Sequence, residues 1–140
     1  MTCVFCDIIN KNSKQSNSII YQDKKVSAFM DKLQPHPGHI LIVPNTHIIN
    51  IFEIDEILAA HMFKITTRVA KAVKEVFRPH GVDIYQCNGK CAGQSVFHMH
   101  IHIFPREPKD GYFRIYPDHI PKMEGIKTLN KYRKELQKYI

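Results

Sequence analysis

Six residues, His98-Met99-His100-Ile101-His102-Ile103, constrain this chain more than any others. Histidine alternates with an apolar side chain, and alternation is the period of a strand. A strand over residues 97–104 therefore sends three imidazoles to one face and Met99, Ile101 and Ile103 to the other, into a core. Same-face residues stand about 7 Å apart, too far for direct contact but close enough for all three rings to surround one phosphate. Neutral imidazole is a nucleophile or a metal ligand, and protonated imidazole is a cation and a proton donor. Phosphoryl or nucleotidyl transfer needs a nucleophile, donors around the non-bridging oxygens and a proton for the leaving group. The loop ahead of the strand carries Asn88, Gly93, Gln94 and Ser95, small residues and side-chain donors suited to an anion. A second chemistry fits the same spacing. Two same-face imidazoles also bind catalytic zinc, with His39, His47 and Asp31 available as further ligands. From spacing alone the two stand level.

The rest of the chain supplies a frame for that strand. Residues 3–9 read as a short helical turn, and residues 10–18 as a polar loop. Residues 19–22 and 26–31 read as strands joined at Asp23-Lys24-Lys25. Gln34-Pro35-His36-Pro37-Gly38 reads as a loop, because two prolines and a glycine break ladders and helices. Residues 39–43 are nearly all apolar, a central strand that Pro44 ends. From 55 to 77 the period changes: Ile54, Ile57, Leu58, Met62, Ile65, Val69, Val73 and Val76 recur at steps of three and four, an amphipathic helix stopped by Pro79 and Gly81. His61 lies in that helix as a surface or packing residue. A strand over 83–87 follows. Ile126, Leu129, Tyr132, Leu136 and Tyr139 mark a terminal helix. Short connections between most strands and one long helix predict a largely antiparallel α+β domain. Residues 1–110 form the domain, and residues 111–140 an extension with a basic helix, packed on the same domain.

The formal net charge of +7 favours anionic partners. Much of it lies in the tail, at Lys122, Lys127, Lys131, Arg133, Lys134 and Lys138, where a solvated helix face also explains it. The chain lacks a run long enough to span a bilayer. Its first residues have neither a basic n-region nor an apolar h-region, so a cytoplasmic protein is expected. In that compartment a disulfide framework is not expected. Cys3 and Cys6 are half of a zinc site or two packed thiols.

The stretch from Gly93 to Phe104 closely resembles the signature of the histidine-triad (HIT) superfamily. Cys3-Val4-Phe5-Cys6-Asp7-Ile8-Ile9, Ala28-Phe29-Met30-Asp31 and the run from Gly38 to Ile48 resemble further family blocks in the family's order. The resemblance covers about residues 3–106 and implies a five-stranded antiparallel sheet, one long helix, a short N-terminal helix and a homodimer whose sheets join into one. It implies that His100 is the nucleophile of a covalent nucleotidyl-imidazole intermediate later released by water. His98 and His102 flank it, and His39 lies beside it. Asn88, Gln94 and Ser95 match contacts to the phosphate or leaving group, Asp31 the carboxylate on the ribose hydroxyls, and Val4, Phe5, Ile8 and Phe29 the apolar wall around a purine. In zinc-bearing members that the chain resembles, Cys3, Cys6, His47 and His98 form a closed structural site, and catalysis needs no metal.

Two branches compete within the resemblance. Ser95 points to hydrolysis of nucleoside phosphoramidates, releasing AMP, and this is the branch expected here. Phe104-Pro105-Arg106 with Lys109-Asp110-Gly111 points to dinucleoside polyphosphates (Ap4A or Ap3A type), with Arg106 on an additional phosphate or simply exposed. Lys32 departs from the apolar residue often found after the ribose carboxylate, which bears on base preference. A nucleotide-binding interaction module with incidental hydrolysis is the answer from a different class, although an intact His39, Ser95, His98, His100 and His102 set opposes a decayed enzyme. Nucleic acid is not expected as a partner, because no basic and aromatic platform for stacking bases is evident.

Overall fold

Helix α2 (Glu56–Phe77) buries Leu58, Met62, Ile65, Val69 and Val73. Steps of three and four residues stack these side chains into one stripe. Asp55 starts the helix, its Oδ1 accepting from Leu58 N at 2.9 Å. Arg78 ends it in the left-handed conformation (φ 52°), with Lys74 Nζ donating to Pro79 O at 2.8 Å. Ile57 and Val76 share the apolar spacing but are 75% and 69% exposed, so they fall outside the buried stripe.

The computed structural model describes residues 2–112 and 123–140, divided into two units, Met1–Asp110 and Gly111–Ile140. In the larger unit α2 covers one face of a sheet built from β1 (Ile19–Gln22), β2 (Val26–Met30), β3 (Ile40–Pro44), β4 (Gly81–Gln86) and β5 (Ile101–Arg106). All neighbours pair antiparallel in the order β1-β2-β3-β5-β4, so β5 is central and β4 is an edge. Val26, Ala28, Ile40, Ile42, Met99, Ile101 and Ile103 meet the helix stripe. On the opposite face the short helix α1 (Val4–Ile9) packs Phe5, Ile8 and Ile9 against Phe29, Leu41 and Val43. The segment between α1 and β1 includes a 3-10 turn, Lys14–Ser18, where the sequence suggested only a loop.

One boundary differs with consequence. The histidine strand begins at Ile101, not at residue 97. Both ladders start there, Ile42 facing Ile101 on β3 and Gln86 facing Ile101 on β4, so the chain upstream has no strand to follow. Met99 N instead donates to Ile48 O at 2.7 Å. His98 and His100 thus leave the sheet's period, and His98 turns aside.

In the smaller unit, α3 (Ile126–Leu136) spaces Ile126, Leu129, Tyr132 and Leu136 along one side and Lys127, Lys131, Arg133 and Lys134 around the rest, with none buried. Lys122 lies outside the described residues. Among the described residues no helix is long and apolar enough to cross a membrane.

Candidate active site

On the α1 face the sheet brings His100, His102 and His39 together. The rings of His100 and His102 are 4.8 Å apart between centroids, nearer than strand spacing alone allows, because their side chains lean toward one another. His39, just before β3, places Nε2 3.0 Å from His102 Nδ1. Leu41 is opposite His102 on β3 and Tyr85 opposite it on β4, so register delivers His102 to this place. Phe5 of α1 closes the floor, edge-on to His100 at 5.1 Å.

Hydrogen-bond partners assign the ring nitrogens. His100 Nδ1 lies 2.7 Å from His98 O, an acceptor, so Nδ1 carries the proton and Nε2 keeps its lone pair. His39 Nδ1 likewise donates to Leu33 O at 2.7 Å. With its Nδ1 proton committed to Leu33 O, His39 presents Nε2 as the acceptor and His102 donates from Nδ1. Burial pushes His100 below the ordinary histidine value and, with His100 and His39 adding to it, pushes His102 down to about 3. Both rings rest neutral, each with an unprotonated Nε2.

The loop from Asp31 to His39 is closed by the amide of Gln34. Its Nε2 donates to Asp31 O (2.8 Å) and His39 O (2.7 Å), and its Oε1 accepts from Gly38 N (2.9 Å) and His39 N (3.2 Å). Gly38 has φ +103°, and a Cβ there would lie 2.7 Å from Phe77, so only glycine passes the end of α2. Asp31 Oδ1 accepts from Leu33 N at 2.9 Å, while Oδ2 stands 3.7 Å from His39 Nε2.

The remaining residues singled out from the sequence take varied places. Ser95 is exposed and, with Val4, His47 and Phe97, lines a cleft of about 480 Å³. Asn88 and Gln94 make their hydrogen bonds to the protein: Asn88 to Gln86 and Ile51 N, Gln94 to Gly89 N, Ile49 O and Val96 O. Ile8 and Phe29 are fully buried behind Phe5. Arg106 is neither on open surface nor free-standing, since Asp83 and Asp110 hold its guanidinium at 2.6 Å each. Sequence reasoning missed Tyr85 and Gln34. Tyr85 stacks on the face of His102 at 4.2 Å and 10°, while His39 meets its edge nearly coplanar, at 5.3 Å and 19°. Only the β4–β5 register could have pointed to Tyr85.

His98 belongs to a second cluster. Cys3 Sγ, Cys6 Sγ, His47 Nδ1 and His98 Nδ1 all lie within 4.8 Å of one another. The contacts Cys3–His98 and Cys6–His47 are 3.4 Å, and Cys6–His98 is 3.6 Å. Tetrahedral zinc with bonds of about 2.1–2.3 Å separates its ligands by roughly 3.5 Å, so the four fit it. His98 Nε2 donates to Pro44 O at 2.8 Å, which leaves Nδ1 as the ligating nitrogen and fixes the ring. All four cysteines are free thiols, and burial, with Cys3 beside it, pushes the Cys6 thiol up to about 11.

The HIT domain family matches residues 12–109. This chain belongs to the HIT family. HIT proteins are nucleotide-binding hydrolases and transferases. Among relatives, the chain is similar to Protein hit of Bacillus subtilis, 40% identical over 118 residues, 84% of this chain and 80% of the relative. Its fold matches a HIT family protein of Bacillus anthracis with a TM-score of 0.90 at 31% identity, covering 99% of this chain and 97% of that one. A zinc-bound histidine triad family protein of Mycobacterium smegmatis superposes with a TM-score of 0.73 at 33% identity, covering 84% and 85%. More distant HIT relatives include an adenylylsulfatase of Arabidopsis thaliana (32% identical over 108 residues, 77% of this chain and 54% of the relative) and an AP-4-A phosphorylase of Mycobacterium tuberculosis (28% over 102 residues, 72% and 52%).

Proposed function

We propose that this HIT protein hydrolyses purine nucleoside phosphoramidates at the α-phosphate, through a covalent intermediate on His100, releasing AMP. The hydrogen bond from His100 Nδ1 to His98 O carries the proposal, because it leaves Nε2 as a fixed, unprotonated nucleophile. His100 Nε2 bonds to phosphorus as the phosphorus–nitrogen bond breaks. The departing nitrogen takes the electron pair and the Nε2 proton of His102, which is neutral at rest and takes that proton up from solvent before the step. Water then attacks phosphorus, gives its proton back to His102, and breaks the phosphorus–imidazole bond. His39 orients His102, and Ser95 faces the leaving group. Asp31 takes the ribose hydroxyls, and Val4 and Phe5 the purine, with Ile8 and Phe29 packed behind as support. Asn88 and Gln94 hold the shape of the phosphate loop.

The tie of Arg106 to Asp83 and Asp110 supports the phosphoramidate branch over dinucleoside polyphosphates, since a further phosphate would have to break two ion pairs to reach it. The adenylylsulfatase relative supports attack at an adenylyl phosphorus. Cys3, Cys6, His47 and His98 would hold zinc as a cross-link between the N-terminus and the sheet, with the zinc-bound mycobacterial relative in support. Edge strand β4 with exposed Ile84, beside exposed Ile51 and Phe63, suits edge-to-edge pairing into a homodimer.

Intact mass spectrometry after brief mixing with adenosine 5′-phosphoramidate tests the reaction. A nucleotidyl adduct is expected on wild type and none on His100→Ala, which should still bind AMP. Adduct on the variant, or none on a wild type that binds AMP, would overturn the assignment. Asp31, His39 and His102 also bring ligand atoms within 4.8 Å, which favours catalytic metal as the second reading. Turnover by folded protein in EDTA separates the two, and its loss would favour the metal.

A further inference from the structure

His102 has His39 at its edge, joined through Nδ1, and Tyr85 against its face. His39 lies 5.3 Å away at 19°, and Tyr85 lies 4.2 Å away at 10°. The closer neighbour is the aromatic one, placed directly opposite His102 by the β4–β5 register. The groups facing His102 are Tyr85 on β4, His100 just before β5 and His39 before β3, with Asp31 after β2 standing 3.7 Å from His39 Nε2. Asp83 on β4 and Cys87 just beyond its end act on Tyr85.

Proton delivery places a particular demand on this stack. His102 already donates from Nδ1 to His39, so it hands a proton to the leaving nitrogen only as imidazolium, with a second proton on Nε2. Two neighbouring imidazoles and burial oppose that cation. An aromatic face favours it, because the ring quadrupole attracts a cation lying over it. Burial, Cys87, Asp31 and Asp83 all keep the phenol protonated, so Tyr85 acts as a neutral ring.

We propose that Tyr85 is a positioning residue for proton delivery: its ring holds His102 in plane with His39 and supports the imidazolium that protonates the leaving group. The proposal rests on the roles given above to His100 and His102. Tyr85 touches neither phosphorus nor the attacking nitrogen in the scheme. It acts through His102, and so through the one step that differs between leaving groups. An amine leaves only when protonated, whereas 4-nitrophenolate departs with its electron pair and needs no proton.

The test compares Tyr85→Leu and Tyr85→Phe on adenosine 5′-phosphoramidate and on adenosine 5′-(4-nitrophenyl phosphate). For Tyr85→Leu, kcat on the phosphoramidate should fall about tenfold, the scale of a partly desolvated cation–π contact. The alkaline limb of kcat should move to lower pH, with KM and turnover of the ester changed by less than about threefold on the same scale. Tyr85→Phe should restore both rate and limb. Equal loss on both substrates, no loss in the leucine variant, or a phenylalanine variant as impaired as leucine would overturn the proposal. If wild type turns over neither substrate, the hydrolase reading fails by itself. The ring-nitrogen NMR titration of His102 then decides: a lower midpoint in Tyr85→Leu than in wild type supports the stack, and an unchanged midpoint rejects it.

Discussion

A backbone carbonyl chooses which nitrogen of His100 can react, and burial keeps that nitrogen unprotonated. Because burial lowers His100 below its ordinary value of 6.5, the proposed nucleophile stays unprotonated through neutral pH. The acid limb of kcat/KM should therefore lie below pH 6.5, with activity lost as pH falls through it; a limb at or above 6.5 would show that the ring is solvated. Gly38→Ala should destabilise the fold by about 2 kcal/mol or more, from left-handed strain and the clash with Phe77, read from urea midpoints. His100 was legible because alternation is a local pattern. Tyr85 and Gln34 were not, because one is set by cross-strand register and the other by closure of a loop, and neither leaves a spacing in the sequence.

Elements reproduce the same division between local and distant causes. The stripe from Leu58 to Val73 announces α2, since its period needs no partner to be recognised. Where β5 begins was hidden, because His98-Met99-His100 continues the alternation after the ladders have stopped. Removing the cap of α2 with Asp55→Ala should lower stability by about 1 kcal/mol without altering AMP affinity. The Asp31–His39 loop should behave in the opposite sense. Gln34→Ala removes four hydrogen bonds that shape it, and AMP binding by calorimetry should weaken about tenfold or more if Asp31 holds the ribose. Unchanged affinity would place the ribose elsewhere.

For the molecule as a whole, buried neutral histidines set the response to acid. His100 and His102 bind protons less readily folded than unfolded, so unfolding takes up protons as pH drops through about 6.5, and stability falls in that direction. Melting temperatures should decline from pH 7 to pH 5, and a flat profile would contradict the burial of both rings. Chelation should lower the melting temperature by about 5 °C or more while Cys6→Ser abolishes that response, if the cysteine and histidine cluster carries zinc. The cluster was legible only through family resemblance. Its members lie up to 95 positions apart in the chain, and Cys-x-x-Cys alone names two of the four.

The peptide at residue 98 has a consequence for genetics. Its side chain belongs to the cysteine cluster, but its carbonyl holds the proton of His100 in place. Every amino acid has that carbonyl. A saturation mutagenesis experiment at position 98 would score the ring and remain blind to the oxygen, so one of the contacts closest to the chemistry leaves no trace in a map of tolerated substitutions.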